Sequence, residues 1–422
     1  MSKPLHLLFG KLRASYWFIP GIMAVAAASG AFVSLSLDHN LEALILPKWL
    51  LLFSGGPDAA RDVLSAVAGS IITVAGVTFS ISIVILSLAS QQYGPRLLRN
   101  FMRDRSIHVA FGMFVATFVY SLLILPSPLS ENELGREAFT PRLGVTVSII
   151  MAIGCVFMLI YFIHHIARSI QASHIAAATC DELLQTIHAL TNNEAAYAKE
   201  DARHAEVNAR TMTSAFIAIS SRHSGYVQAC NIKQLVSLAT QHDIVIEIKA
   251  RPGGYIAHND SIAHVSGKNS RLDMIVRDIN DCFSLGSERT MEQDLEFGFQ
   301  MLVEMAVRAL SPSMNDPFTA LQCIDYLREA FKAIMQVPVP KTVLRDLQGS
   351  IRVIQPCLSV NDLLTSTLLP LHHYARNAPM VLKGLNNMLA SLEANAKSPA
   401  ILSHMDNYRR QISESLNEVS AG

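Results

Sequence analysis

Four long apolar stretches in the first 163 residues constrain this chain more than any other feature of its sequence. They cover about 15–37, 63–89, 107–125 and 143–163, and none carries a charged residue within its apolar run. A helix needs roughly 20 residues to cross the hydrocarbon core of a bilayer, and each stretch approaches or exceeds that length. The sequence therefore predicts an α-helical multi-pass membrane domain with four spans over residues 1–165.

Basic residues near these spans predict their orientation. Lys3, Lys11 and Arg13 precede the first span. Four arginines crowd the loop between the second and third spans: Arg96, Arg99, Arg103 and Arg105. The loops 38–62 and 126–142 each carry two basic residues and a larger number of acidic ones. Because basic loops stay on the cytoplasmic side, both termini are predicted to be cytoplasmic, with the lipid bilayer as the partner of the spans.

Two features near the start admit more than one interpretation. The first span resembles a signal peptide with a cleavage site at Ala26–Ala28, but its apolar run continues to Leu35, so we favour a retained span. The apolar segment 41–53 is too short to span and carries Lys48 and Trp49, which favour the headgroup level. We predict that this segment lies at the outer surface, and a re-entrant loop contributing to a pore stays open as the alternative.

The second span carries small and hydroxylated residues at spacings that place them on one helical face. They are Ser65, Gly69, Thr73, Gly76, Ser80 and Ser87. The favoured interpretation is close helix packing, including packing between subunits of a homo-oligomer. The alternative is the lining of a water-accessible pore, in which hydroxyls replace part of an ion's hydration shell. The spans contain no carboxylate, Lys or Arg, which argues against a proton-coupled transporter.

Overall composition excludes several classes of function. Lys+Arg and Asp+Glu both number 34, so no global positive field favours nucleic acid as a partner. The six cysteines form no CxxC pair, and no Walker loop, GxGxxG, HExxH, GxSxG or EF-hand pattern is present. We therefore expect reduced thiols, no metal and no cofactor.

Residues 166–210 are predicted to form a helical stalk and linker. No Pro or Gly interrupts the chain after the fourth span, so one continuous helix is expected to run out of the membrane to about residue 190. Such a helix would couple the two halves of the chain mechanically. His164, His165 and His174 lie on or near it, but no Asp or Glu lies close by at ligand spacing before Asp181, so interfacial solvation is favoured over a metal site.

Residues 211–287 are predicted to form a small α+β module of the cytoplasmic part. SGYVQAC is typical of a strand, NIKQLVSLATQHD of a helix, and 243–265 of strands with turns at 252–254 and 258–260. The phrase RPGGYIAHNDSIAHV resembles the hairpin of a barrel-sandwich hybrid, as in biotinyl and lipoyl domains, without their acceptor lysine motif. This likeness concerns the fold alone.

Residues 288–422 are predicted to be mostly helical. One helix should end at Ser311–Pro312, and Asp316 should cap the next, with Pro317 in its first turn. The tail beyond 397 has a helical pattern whose apolar stripe needs a cover. The stripe consists of Ile401, Met405, Tyr408 and Ile412.

A group of polar residues within 289–316 is the candidate ligand site of this domain. Its members are Arg289, Gln293, Asp294, Arg308, Asn315 and Asp316. They are interpreted first as helix caps and ion pairs, and alternatively as a site for a small anionic ligand or for catalysis. No residue is assigned a catalytic role.

Three passages resemble a known family, the predicted membrane proteins catalogued as domain of unknown function 2254. They are the second span with LSLASQQYGPRLLRNFMRD, the strand SGYVQAC with PGGYIAHNDSIAHV, and ERTMEQDLEFGFQMLVEMAVRALSPSMNDPFTA. The resemblance covers roughly residues 10–390 and implies a location in the bacterial inner membrane, but no activity. Three hypotheses follow: an oligomeric channel gated by its cytoplasmic domain, a membrane-anchored ligand-binding module or enzyme, and a structural scaffold.

Overall fold

The chain folds into two compact units, Met1–His174 and Ile175–Gly422. This computed structural model describes residues 17–41, 53–93, 105–128, 139–169, 171–195, 216–266, 272–337, 342–396 and 398–421. The segment predicted to lie at the outer membrane surface, 41–53, falls almost wholly outside the described residues.

Among its described residues, the first unit contains four helices that are long and apolar enough to cross a membrane. They are α1 (Phe18–Leu41), α2 (Pro57–Tyr93), α3 (Arg105–Ile124) and α4 (Arg142–Ser169). The prediction of four spans is therefore confirmed. Helix α2 begins earlier than predicted, because Pro57 is compatible with the first turn of a helix and Asp58 suits the positive end of the helix dipole.

Helix α3 lies at the centre of this unit and packs against α1, α2 and α4. Its most apolar window is 56% buried, against 28% or less for the other three spans. The Tyr120 hydroxyl donates to Ser34 Oγ of α1 at 2.9 Å, and Ser121 Oγ lies 2.8 Å from Ser148 Oγ of α4. These buried hydroxyls satisfy one another, as polar groups in hydrocarbon require.

Gly112 marks a close approach between α1 and α3. A Cβ atom at this position would lie 2.6 Å from Met23 Sδ and 3.2 Å from Pro20 Cα. Because one of these neighbours is backbone, a larger residue here requires both the Met23 side chain and the backbone of α1 near Pro20 to shift. Small residues at such crossings allow van der Waals packing to stabilise spans against one another.

A carboxylate on the first span caps the fourth. The two oxygens of Asp38 accept hydrogen bonds from the backbone N–H groups of Leu143 and Gly144, both at 2.9 Å. The first N–H groups of a helix have no partner within the helix, and a negative charge is favourable there. Asp38 therefore fixes the end of α1 to the start of α4.

The predicted continuous helix from span to stalk is wrong. Helix α4 ends at Ser169, and a separate helix α5 (Ala172–Ala195) follows. Between them, Gln171 N–H donates to Arg168 C=O at 3.2 Å and His174 N–H to Gln171 C=O at 3.0 Å. These bonds span three residues instead of four, so the α-helical ladder is interrupted without any Pro or Gly in the sequence.

From residue 175 onward, α5 packs within the second unit. Leu183 and Ile187 are buried, and a Cβ added at Gly298 would lie 2.7 Å from Leu183 Cδ1. The Cys180 thiol lies 3.7 Å from the carbonyl oxygen of Tyr326. Contacts with distant parts of the second unit therefore determine where α5 lies. Local sequence patterns do not reveal these contacts.

Two sheets form the α+β part of the second unit, with α6 (Ile232–His242) and α7 (Leu272–Asn280) beside them in the sequence. Their strands are β1 (Phe216–Ser220), β2 (Gly225–Cys230), β3 (Val245–Ile248), β4 (Tyr255–Ile256), β5 (Ser261–Ser266), β6 (Phe283–Gly286), β7 (Val343–Arg345) and β8 (Ile351–Ile354). The five-stranded sheet has the order β1-β5-β3-β8-β7, and the three-stranded sheet has the order β4-β2-β6. Only β3 and β8 pair in parallel among these strands.

The predicted strands and turns around RPGGYIAHNDSIAHV are present, but the strands belong to two different sheets. Strands β3 and β5 pair antiparallel, with Val245 opposite Ser266. Strand β4, which lies between them in sequence, pairs with β2 instead. Gly253 and Asn259 have φ angles of 84° and 71° at the two turns. The likeness to a barrel-sandwich hybrid stays a prediction.

Five further helices lie within the described residues of the second unit. They are α8 (Leu295–Ala309), α9 (Pro317–Gln336), α10 (Val360–Ala375), α11 (Pro379–Glu393) and α12 (Pro399–Ala421). Helix α8 ends before Ser311, and α12 occupies the tail, both as predicted. Met405, Tyr408 and Ile412 are buried, and α12 packs on α10 and α11. The chain's own helices therefore cover the apolar stripe of the tail.

Candidate functional site

The small residues predicted to share a face of α2 lie on the outside of the membrane unit. All six are exposed: Ser65, Gly69, Thr73, Gly76, Ser80 and Ser87. A Cβ atom added at Gly69 or Gly76 would have no neighbouring heavy atom within 4 Å. We call these six residues the small face of α2.

The opposite side of α2 packs within the unit. Leu64, Ala68, Ile71 and Ala75 are buried at 6% exposure or less. At 100° of rotation per residue, this buried stripe is centred about 130° around the helix from the small face. The small face therefore contributes nothing to the packing of the four described spans against one another.

The outward surfaces of the neighbouring spans are of a different kind. Helix α4 exposes Phe157 at 67% and Ile160 at 61%, and α1 exposes Val25 at 68% and Phe32 at 64%. Large apolar side chains of this kind suit contact with lipid chains. The small face of α2 offers lipid far less apolar surface.

Hydroxyls on α2 are compatible with an apolar surrounding. The Thr73 hydroxyl donates to the carbonyl oxygen of Gly69 at 2.8 Å, within the helix. Its proton is thereby satisfied, while the oxygen keeps a lone pair for a second partner. At Thr73 the face can therefore pack against another helix or face water without leaving a donor unpaired.

Asp294 is the centre of the polar contacts at the start of α8. It is 4% exposed, and its Oδ1 accepts a hydrogen bond from Phe297 N–H at 3.2 Å, which caps the helix. Its Oδ2 accepts from Arg289 Nε at 2.7 Å. A second nitrogen of Arg289 donates to Gln300 Oε1 at 2.9 Å. Capping and ion pairing thus occupy both carboxylate oxygens.

The sequence alone did not reveal three further members of this network. Glu296 lies 3.0 Å from Arg251 and 3.7 Å from Arg289, measured between side-chain nitrogen and oxygen. Gly253 lies directly against Asp294, and a Cβ there would overlap the carboxylate. The PGG sequence signals a turn, but the contact of Gly253 with Asp294 follows only from the tertiary fold.

Gln293 connects the start of α8 to strand β2. Its Oε1 accepts from the backbone N–H of Cys230 at 2.8 Å, and its Nε2 donates to the carbonyl oxygen of Cys230 at 3.3 Å. The amide thereby acts like the backbone of a neighbouring strand. This contact is structural, and it occupies both polar atoms of the side chain.

The remaining residues of the predicted polar group belong to the other end of α8. Asp316 caps α9 by accepting from Thr319 N–H at 3.1 Å and from the Thr319 hydroxyl at 2.6 Å. These two bonds, the hydroxyl first, lower the pKa of Asp316. Asn315 is exposed in a left-handed conformation, with φ of 45°, and Arg308 pairs with Glu304 at 3.0 Å.

The structure therefore does not bring the six predicted polar residues into one site. Asp294 precedes α8, whereas Asp316 N–H donates to the carbonyl oxygen of Ala309 at its far end, at 2.8 Å. A 15-residue helix is about 22 Å long. Arg289, Gln293 and Asp294 form one group, and Asn315 and Asp316 form another.

Buried thiols of the second unit are poor nucleophiles. Burial raises the pKa of Cys230 and of Cys323 to about 12, and that of Cys282 to about 11. A thiol with so high a pKa carries almost no thiolate near neutral pH. Across the described ranges, no three His, Cys, Asp or Glu side chains are grouped so that they could hold a metal ion.

Comparison with known proteins agrees with the presence of a membrane unit. A family model described as "Predicted membrane protein (DUF2254)" matches residues 13–391. The chain belongs to this family. Uncharacterized proteins of Mycobacterium bovis and Mycobacterium tuberculosis are 29% identical to it over 394 residues, which is 92% of this chain and 74% of each relative. No solved structure matches the chain.

Proposed function

We propose that this member of the DUF2254 family is a bacterial inner-membrane protein that assembles with copies of itself through the small face of α2. Ions or small solutes then cross the membrane along these faces, and the second unit, in the cytoplasm with both termini, gates the path. One observation carries the proposal: the small face is exposed in the single chain, whereas the opposite side of α2 is packed.

Assembly is supported by the shape of the exposed surface. Gly69, Thr73, Gly76 and Ser80 recur every three or four residues, which allows a second helix to approach closely. Close approach increases van der Waals contact between helices, and this is a main source of association in lipid. Lipid chains fill such a small-residue surface less well than the aromatic and aliphatic surface of α4.

Conduction is supported by the chemistry of the same surface. Ser65, Thr73, Ser80 and Ser87 place hydroxyl oxygens at successive depths along α2. Oxygens at such positions replace part of the water around a permeating ion or solute. The small face carries no charged side chain, so the path is expected to discriminate by size and hydration more than by charge.

Disulfide cross-linking in membranes tests the assembly. Ser80→Cys lies on the small face, and Ile81→Cys is its matched control, because the next residue has the same depth but lies about 100° around the helix. Both positions are exposed. We expect a covalent dimer on oxidation of the Ser80→Cys protein and little with Ile81→Cys. Equal cross-linking of both variants, or none with Ser80→Cys, would contradict the assembly.

Planar bilayers containing the purified protein test conduction separately. We expect discrete currents that Ser80→Leu reduces at least severalfold, since leucine removes the hydroxyl and fills the space, whereas Ile81→Leu leaves them unchanged. Folded, cross-linkable protein that passes no current would contradict conduction and leave a membrane scaffold as the function.

A further inference from the structure

A tyrosine–serine hydrogen bond joins the start of α3 to the last turns of α4. The Tyr161 hydroxyl donates to Ser106 Oγ at 3.2 Å, and the Tyr161 ring stacks on His165 with centroids 5.6 Å apart. Tyrosine is enriched where a span meets the lipid headgroups, because its ring is apolar and its hydroxyl is polar. This bond therefore marks the headgroup level on the α3–α4 side.

Two arginines flank this bond. Arg105 is the first residue of α3 and adjoins Ser106, and both Arg105 and Arg168 are exposed. Arg168 follows Tyr161 by seven residues, so it projects from the same side of α4, two turns farther along. The chain has no Asp or Glu from residue 138 to 180, and segment 94–105 has four arginines against one aspartate.

Below the arginines, α4 exposes a large apolar surface. Phe157, Ile160 and Ile163 are exposed at 67%, 61% and 57%. They lie on the membrane side of Arg168, within about three turns of it along the helix. A cationic headgroup level above an apolar helix surface matches the two halves of a phospholipid in charge and polarity.

We propose that the α3–α4 surface binds an anionic phospholipid. Arg105 and Arg168 contact its phosphate, and the acyl chains lie along Phe157 and Ile160. The hydrogen bond between Tyr161 and Ser106 positions the two arginines by holding the helix ends together. This surface is separate from the small face of α2, so the proposal does not rest on assembly or conduction.

Native mass spectrometry of the full chain in detergent, titrated with phosphatidylglycerol, tests the proposal. We compare Arg168→Gln with Arg142→Gln, which removes an exposed arginine from the opposite end of the same helix. Each arginine of the site is expected to contribute about fivefold in affinity, as is typical of a basic residue at an anionic membrane surface. Arg105→Gln and Arg168→Gln should each weaken binding by that factor, and Arg142→Gln should have little effect.

Two further compounds, one lipid and one headgroup without chains, decide what is recognised. Phosphatidylcholine, which has the same chains but no net charge, should bind markedly more weakly and show no difference between the variants. Glycerol phosphate, which lacks the chains, should not compete at concentrations that saturate phosphatidylglycerol. Equal loss with Arg142→Gln, unchanged binding in the Arg105→Gln/Arg168→Gln double variant, or competition by glycerol phosphate would overturn the proposal.

Discussion

At the scale of single residues, three aspartates show how local chemistry fixes helix starts. Asp294 and Asp316 cap the helices that they immediately precede, whereas Asp38 caps α4 from 105 residues earlier in the chain. The cap at Asp316 was predicted from sequence, because Asp followed by Pro is a local signal. The partner of Asp38 was not, because no sequence pattern links a carboxylate to a helix so distant.

Replacing Asp316 by alanine should lower the stability of the second unit by about 1 kcal/mol near pH 7, through loss of the cap. Hydrogen bonds from Thr319 lower the pKa of Asp316 in the folded state. The stabilisation that ionised Asp316 provides is therefore fully present above the pKa of an unfolded aspartate, about 3.9. It is lost as the pH falls through the lower pKa that Asp316 has in the folded protein.

Thermal unfolding of the two proteins across pH measures this effect. The difference in midpoint should be constant from pH 7 to about 5 and should shrink as the pH falls below about 4. Asp325→Ala is the control, because Asp325 is 64% exposed and forms an ion pair with Arg328 within the same helix. A cap effect of constant size down to the lowest pH would contradict the assignment.

At the scale of helices and strands, the sequence predicted well where the elements lie along the chain and poorly what they pack against. The four spans lie where apolar length placed them, and strand β2 and helix α6 match their predicted segments. Yet a small face has the same pattern whether it packs inside the bundle or outside it. Only the structure shows that α3, not α2, is the most buried of the four described spans. Strands β7 and β8 were not predicted, because at three and four residues they are too short to show a recognisable strand pattern in the sequence.

Two glycines in neighbouring spans should respond differently to leucine. Gly112→Leu should disrupt the packing of α1 on α3, because the backbone of Pro20 lies 3.2 Å from the added Cβ. Gly76→Leu has open space around it and should leave the single chain folded. According to the proposed assembly, it should instead weaken association between copies.

Size-exclusion chromatography with light scattering, together with the thermal unfolding midpoint, separates these two effects. Gly112→Leu should lower the midpoint by several degrees or prevent folding, since overpacking commonly costs about 1–3 kcal/mol. Gly76→Leu should shift the mass toward the single chain with little change in fold. A Gly76→Leu protein that keeps the wild-type mass would argue against the small face as the contact.

At the scale of the whole molecule, the division into two units places most of α5 with the second. Leu183 and Ile187 are buried there, although the sequence had assigned the same residues to a stalk. The core of the second unit therefore begins before its first strand. The boundary of the second unit therefore lies within the segment that the sequence had assigned to a stalk, because α5 packs in the core of this unit.

Two fragments test this division. Fragment 175–422 should be soluble, monodisperse and cooperative in thermal unfolding, because it keeps the contacts of α5 with Gly298 and Tyr326. Fragment 216–422 lacks α5 and should expose apolar core surface, with a lower midpoint or aggregation. Circular dichroism and light scattering compare them. Equal stability of the two fragments would place α5 outside the core.

The bond from Asp38 to the start of α4 also sets an order of events during synthesis. The carboxylate leaves the ribosome 105 residues ahead of the backbone N–H of Leu143 that it binds. At ordinary bacterial elongation rates, this corresponds to a wait of about 5–20 s. For that interval the end of α1 has no fourth helix to cap. The contact between the end of α1 and the start of α4 therefore forms only after the last of the four described spans has been synthesised.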